Sequence, residues 1–168
     1  GNQVSKIPLI EKNVLAYGKV DLHQITALNV GADSSLDLTN INVLFANFIP
    51  VNYDCRMCSQ QAAAFASYTK NHTAPSGLEV KSIAVVVEPD MRVAKHYARI
   101  QGLGMPVFQQ PEFPGPTHGS LKDRCFVLAV SPRTKKALLK IPLIGGEVKA
   151  KVEATFEAVI KKYNLAAL

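Results

Sequence analysis

The sequence predicts an α/β fold in which a central mixed β-sheet is flanked by helices. Two apolar runs of strand length, the second strongly β-branched, alternate with two helical segments, which gives the order strand, helix, strand, helix. Two further strands with a tight connection and an amphipathic closing helix follow. A pair of cysteines separated by two residues stands at the start of the first helix. These three observations carry the prediction, and each element is justified below.

The composition is that of a folded globular chain. A length of 168 residues fits one domain. The content of 48% hydrophobic and 19% charged residues excludes disordered and collagen-like classes. Apolar runs are only a few residues long, whereas a membrane-spanning helix needs roughly 20, so we predict no transmembrane segment. The net charge of +6 is explained by solvated lysines, and we predict no nucleic-acid partner.

The chain divides into an arm and a core that belong to the same domain. Residues 1–40 are mixed in character and predict an N-terminal arm with one strand, and residues 41–168 predict the core. The core opens with a compact apolar run over 43–48, which has the length and residue types of a buried strand, and Pro50 stops it. The segment 55–70, rich in Ala and Gln, predicts the first helix.

A second strand and a second helix complete the first half of the core. The run Val80–Val87 is strongly β-branched and predicts a central strand that is buried on both faces. Asp90 is a suitable N-cap for a helix over Met91–Ile100, and Gly102 and Gly104 end it. Parallel strands in such a unit are joined by right-handed crossovers.

The second half of the core changes in character. Pro106 opens a short strand over 106–108, and a proline-rich loop over 109–119 follows it. Strands over 125–130 and 136–141, joined through a turn at 131–134, predict a β-hairpin. Apolar residues at helical spacing over 147–163 predict the closing helix, with its apolar face in the core.

The two cysteines at the start of the first helix form the motif Cys55-Arg56-Met57-Cys58. The order β-α-β-α-β-β-α with a C-x-x-C motif at this position is the organisation of a thioredoxin-like domain. A zinc site also uses this motif but requires a second ligand pair at close spacing. The only further candidates are scattered along the chain: Cys125, His23, His72, His96 and His118. We therefore expect neither a metal nor a cofactor.

A strand–loop–helix setting favours redox chemistry at these cysteines. The positive end of the helix dipole stabilises a thiolate, and in C-x-x-C sites it lowers the pKa of the first cysteine from about 8.5 towards about 7 or below. Cys55 is therefore the predicted nucleophile, with Arg56 favouring and Asp54 opposing the lowered pKa. Cys58, three residues later, is placed to attack the mixed disulfide and release the partner.

A second candidate feature is the pair Met105-Pro106, which precedes a predicted short strand. Thioredoxin-like domains place a cis-proline opposite their two cysteines. The resemblance therefore implies a cis bond at Pro106 and a substrate-binding role for the backbone of Met105. The alternative is a proline that simply begins an edge strand.

Several stretches together resemble the N-terminal domain of selenoprotein P over roughly residues 37–163. They are Cys55-Arg56-Met57-Cys58-Ser59-Gln60-Gln61-Ala62, the strand Ile83–Val87, Met105-Pro106-Val107-Phe108-Gln109-Gln110 and Lys122-Asp123-Arg124. The first redox position of that family is commonly selenocysteine, so the resemblance makes Cys55 its sulfur counterpart. A thiol is a poorer nucleophile and leaving group than a selenol, and any peroxidase activity is expected to be slower. Selenium transport, a property of the family's tail, is not implied.

The resemblance also implies an extracellular protein. Asn71-His72-Thr73 is an N-glycosylation sequon in a predicted loop, which gives weak support. In an oxidising compartment we expect Cys55 and Cys58 to rest as a disulfide. Cys125 begins a predicted inner strand, and we expect it to be a buried, inert thiol; the alternative is a disulfide to another chain.

Two functional hypotheses follow. The first is a secreted thiol–disulfide oxidoreductase or thiol-dependent peroxide reductase, whose partners are thiol or disulfide proteins, small thiols or peroxides. The second is a non-catalytic secreted binding module, in which the Cys55–Cys58 disulfide is structural and a basic surface binds heparin-like polyanions. The lysines of that surface are Lys135, Lys136, Lys140, Lys149, Lys151, Lys161 and Lys162.

Overall fold

The computed structural model describes residues 25–30, 40–51, 56–71, 78–112, 125–132, 136–142, 150, 153–154, 156–159 and 161. Eight elements lie within these residues: β1 (Thr26–Ala27), β2 (Val43–Pro50), α1 (Arg56–Asn71), β3 (Val80–Val87), α2 (Met91–Gln101), β4 (Val107–Gln110), β5 (Phe126–Ser131) and β6 (Lys136–Pro142). The described residues from 150 to 161 are helical, as predicted for the closing segment. No described helix combines the length and apolar character needed to cross a membrane.

All six strands form one mixed sheet in the order β1-β4-β3-β2-β5-β6. β2 pairs in parallel with β3, and β3 pairs in parallel with β4. On its other edge β2 pairs antiparallel with β5, which forms the predicted antiparallel hairpin with β6. The predicted α/β fold with a mixed central sheet is therefore confirmed.

The two strands predicted from apolar runs are the most deeply buried part of the sheet. Every residue of β2 is buried, and so are the last six residues of β3. Alternate side chains point to opposite faces. Thus Val43, Phe45 and Ile49 join one apolar cluster while Leu44 and Phe48 join the other.

The helices α1 and α2 pack in the same cluster, on one face of the sheet. Helix α1 contributes Phe65 to this cluster, and helix α2 contributes Ala94 and Ala98. Since the chain steps from β2 to β3 to β4 in one direction, two right-handed crossovers put both helices on the same side. On the opposite face, the described residues that pack against the cluster are Ile25 and Ala27.

The boundaries of α2 follow the predicted capping signals. The Asp90 carboxylate accepts a hydrogen bond from the Arg92 N–H at 2.9 Å, which satisfies one of the unpaired donors of the first turn. Gly102 ends the helix in the left-handed conformation at φ 55°, where glycine carries no Cβ penalty.

The strand β4 is longer than predicted and lies inside the sheet. Gln109 and Gln110, expected in a loop, are buried strand residues. Their side-chain amides donate to the carbonyls of Glu88 at 2.6 Å and Glu112 at 2.7 Å, respectively. The outer edge of β4 is covered by β1, so the predicted arm contributes a strand to the core sheet. The division of the chain at residue 40 stays a prediction.

Tyr68 connects α1 to the helical residues near the end of the chain. Its ring meets the ring of Phe156 edge-on, with centroids 5.2 Å apart. Burial raises the pKa of Tyr68, and the nearby carboxylates of Glu157 and Glu153 raise it further, since each disfavours the phenolate.

We expect the raised pKa of Tyr68 to make the protein less stable at alkaline pH. The unfolded tyrosine loses its proton near pH 10.0, whereas the folded protein retains it to higher pH. In this window the unfolded state binds fewer protons, so the free energy of unfolding falls as pH rises. Tyr68→Phe should flatten that fall in urea denaturation series measured above pH 10.0. Equal slopes for the two proteins would show that folding does not raise the pKa of Tyr68.

Candidate redox site

Cys58 lies in the first turn of α1, which follows the carboxyl end of the central strand β2. Its side chain has no exposed surface and belongs to the cluster formed between the helices and the sheet. The helical segment predicted to follow the C-x-x-C motif is confirmed as α1. Cys55 itself, with the loop 52–54 before it, lies outside the described residues.

Cys58 forms a disulfide with Cys125, and the Cα atoms of the two residues are 6.2 Å apart. Their pairing follows from the sheet register. Phe126 of β5 pairs with Phe48 near the carboxyl end of β2, so Cys125, just before Phe126, arrives beside the start of α1. Cys125 is fully buried, as expected.

The expectation that Cys125 is an inert thiol is therefore wrong. The sequence shows that Cys125 begins an inner strand, but the partner of that strand and its register come from the folded sheet. Cys58 has one sulfur and forms one disulfide at a time, so the Cys55–Cys58 bond is not the one present in this state.

The substrate-binding role predicted for Met105 and Pro106 stays a prediction, and the structure places both residues just before β4. The described backbone contains no cis peptide bond, so the Met105–Pro106 bond is trans and the predicted cis isomer is wrong. The Pro106 carbonyl accepts a hydrogen bond from the Ala84 N–H at 3.0 Å, inside the sheet. Met105 is buried, and β1 pairs with Phe108 and Gln109 further along β4. The sequence pattern identified a strand but not its place in the sheet.

Two buried amide side chains share this part of the core. Asn47 of β2 donates through Nδ2 to the Ile83 carbonyl at 2.9 Å and approaches Met105 Sδ at 3.9 Å. Its Oδ1 has no partner among the described residues. Gln61, one helical turn after Cys58, has no exposed surface, and neither of its amide atoms has a described partner. The sequence offers no signal for this, because a glutamine in a helix normally faces solvent.

One lysine of the predicted polyanion-binding surface is buried. Lys140 lies opposite Leu128 in the β5–β6 hairpin and is 5% exposed. Its ammonium stands 4.8 Å from the centroid of the Phe126 ring, a cation–π contact that holds it against the sheet. Lys161 is exposed. Of the other predicted members, only the backbone of Lys136 falls within the described residues.

Two further predictions concern residues at the limits of the described part. Asn71 is the last residue of α1 and not part of a loop, and its glycosylation stays a prediction.

The described residues hold no group of three His, Cys, Asp or Glu side chains able to bind a metal. His96 lies exposed on α2, and the other three histidines lie outside the described residues.

The chain is similar to solved structures at low sequence identity. A candidate protein disulfide isomerase from Bacteroides thetaiotaomicron matches with a TM-score of 0.57 and 12% identity, covering 94% of this chain and 91% of its own. The C-terminal domain of a candidate thiol–disulfide oxidoreductase from the same organism matches with a TM-score of 0.54 and 13% identity, covering 95% of this chain and 99% of its own. A secreted thiol–disulfide isomerase from Corynebacterium glutamicum matches with a TM-score of 0.51 and 12% identity, covering 84% of this chain and 90% of its own.

The fold is thioredoxin-like. Identities this low establish the fold and not the closer family. No protein-family model matches the chain, and no curated protein matches its sequence. The resemblance to selenoprotein P therefore stays a prediction.

We expect Gln61→Met to stabilise the oxidised protein. A buried, unpartnered amide costs about 1–3 kcal/mol, and methionine fills nearly the same volume without polar atoms. The free energy of unfolding, measured by urea denaturation, should therefore rise by about 1 kcal/mol or more. The matched control is Gln60→Met, because Gln60 is the exposed neighbour on the same helix. A loss of stability in Gln61→Met alone would show that the amide makes a hydrogen bond.

Proposed function

We propose that this chain is a thiol–disulfide oxidoreductase domain of the extracellular space, in which Cys55 attacks the substrate and Cys58 resolves the mixed disulfide. The observation that carries the proposal is the position of Cys58: a buried cysteine in the first turn of α1, directly after the central strand, already engaged in a disulfide. The structural neighbours include oxidoreductases and a secreted isomerase, which supports the class of reaction and the compartment.

The reaction begins from the reduced protein. The Cys55 thiolate attacks one sulfur of a substrate disulfide, forming a mixed disulfide and releasing the first substrate thiolate. The Cys58 thiol loses its proton and attacks the Cys55 sulfur, which releases the second substrate thiolate. The protein ends with a Cys55–Cys58 disulfide, and two electrons have passed to the substrate.

The electrostatics of α1 favour this role. The helix has 16 residues and carries no acidic residue in its first turn, so no helix carboxylate opposes the positive end of the dipole there. Arg56, the first residue of the helix, adds positive charge beside Cys55 in the sequence. A thiolate at the start of such a helix is stabilised relative to the thiol.

Peroxide reduction is a finer proposal within the same chemistry, suggested by the resemblance to selenoprotein P. The Cys55 thiolate attacks one peroxide oxygen and becomes a sulfenic acid, while the other oxygen leaves and is released as water. Condensation with the Cys58 thiol then releases a second water and forms the Cys55–Cys58 disulfide. A thiol donor must return the two electrons.

The principal test is turnover of a protein disulfide such as insulin with a small dithiol as reductant. Cys55→Ser should lower the rate by at least about a hundredfold, because the attacking thiolate is lost and the two remaining cysteines are fully buried. Cys58→Ser should accumulate the mixed disulfide on Cys55, which intact-protein mass spectrometry detects.

Gln60→Ala serves as the control, since it alters an exposed residue of the same helix turn and leaves all three cysteines in place. Its rate should equal that of the wild type. Wild-type turnover in the Cys55→Ser protein would overturn the proposed function.

The peroxide proposal is tested separately by following hydrogen peroxide consumption in the presence of a thiol donor. Replacing Cys55 by selenocysteine should raise the rate, because a selenolate is the better nucleophile and forms at lower pH. A selenocysteine protein no faster than the wild type would restrict the activity to thiol–disulfide exchange.

A further inference from the structure

The proposed function and the structure give Cys58 different disulfide partners. The proposed function requires a bond from Cys58 to Cys55, whereas the structure contains a bond from Cys58 to Cys125. We propose that Cys125 is a third redox cysteine of the site, and that the disulfide of Cys58 exchanges between Cys125 and Cys55. This inference rests on the proposed function and assigns Cys125 a part in it.

Burial explains why the Cys58–Cys125 bond needs an internal partner. Neither cysteine has any exposed surface, and both lie in the cluster that contains Phe45 and Met105. Disulfide exchange requires a thiolate to approach one of the two sulfurs. A thiol in solution can make that approach only if the core opens, so attack by a thiol of the chain itself is favoured.

Cys55 is the only remaining cysteine of the chain, and the sequence keeps it close to Cys58. Three residues span at most about 10 or 11 Å even when fully extended, which limits the separation of the two Cα atoms in any conformation. A disulfide needs Cα atoms about 4.4–6.8 Å apart, a distance well within that limit. The attack is therefore intramolecular.

The exchange is balanced and involves no external oxidant. The Cys55 thiolate forms a bond to the Cys58 sulfur, the bond between Cys58 and Cys125 breaks, and Cys125 leaves as a thiolate that takes a proton from water. One disulfide and one thiol are present before and after the step. The free thiol moves from Cys55 to Cys125, and the new Cys55–Cys58 bond is the one that substrate thiols can reduce.

The position of the single free thiol therefore reports the exchange. The oxidised wild-type protein is incubated in glutathione buffers of increasing reducing strength, quenched with acid, alkylated and mapped by peptide mass spectrometry. We expect molecules labelled at Cys125 alone to appear before molecules labelled at all three cysteines. Labelling that passes directly from Cys55 alone to all three cysteines would overturn the proposal.

A variant gives the kinetic test. In Cys55→Ser the disulfide between Cys58 and Cys125 should be reduced at least about tenfold more slowly than in the wild type, because the intramolecular attack is lost. Gln60→Ser, an exposed position on the same helix turn, should be reduced at the wild-type rate. Equal reduction rates for Cys55→Ser and wild type would show that the bond is structural and opens without Cys55.

Insulin reduction by the same proteins separates this inference from the proposed function. If Cys55→Ser is inactive but labelling of Cys125 alone never appears, the oxidoreductase stands and the exchange is excluded. If Cys55→Ser remains active, the proposed function itself fails. Both readings use wild type and Cys55→Ser, so neither depends on whether a Cys125 variant folds.

Discussion

The pairing of β2 on both of its edges is the constraint on which the rest of the site depends. Parallel pairing with β3 requires the chain to leave β2 at its carboxyl end and return through α1, while antiparallel pairing with β5 brings Cys125 to that same end. Two cysteines 67 residues apart thereby meet. Closing a loop of that length in the unfolded chain costs roughly 4 kcal/mol of entropy, so the disulfide reinforces the pairing that created it.

The parts of this structure that are readable from sequence are those fixed by local patterns. The largely apolar runs of β2 and β3, the N-cap Asp90 and the helix that carries the C-x-x-C motif each depend on neighbouring residues alone. The pairing of strands does not. The sequence predicts a cis-proline at Pro106 opposite the cysteines, whereas the structure has a trans bond there and places β4 between β1 and β3. The disulfide partner of Cys125 also depends on strand pairing, which local patterns do not specify.

The core contains two buried amide side chains whose hydrogen bonding is incomplete. Asn47 and Gln61 are completely buried, and three of their four amide heteroatoms lack described partners. Such groups lower stability, and natural proteins retain them mostly where function opposes the best packing. Gln61 stands one helical turn from Cys58, so the unsatisfied amide and the disulfide-bonded sulfur occupy one face of one helix. Lys140 shows the opposite case, a buried cation with an aromatic ring as its partner.

The proposed sharing of one sulfur between two disulfides would link the choice of disulfide partner to stability. The bond to Cys125 closes a loop of 67 residues across the sheet, whereas a bond to Cys55 would close a loop of three. Since the entropy removed from the unfolded chain grows with loop length, the exchange replaces a strong cross-link by a weak one without changing the oxidation state. Under the proposed exchange, the domain would be most stable when Cys58 is bonded to Cys125 and less stable when the C-x-x-C pair forms the disulfide.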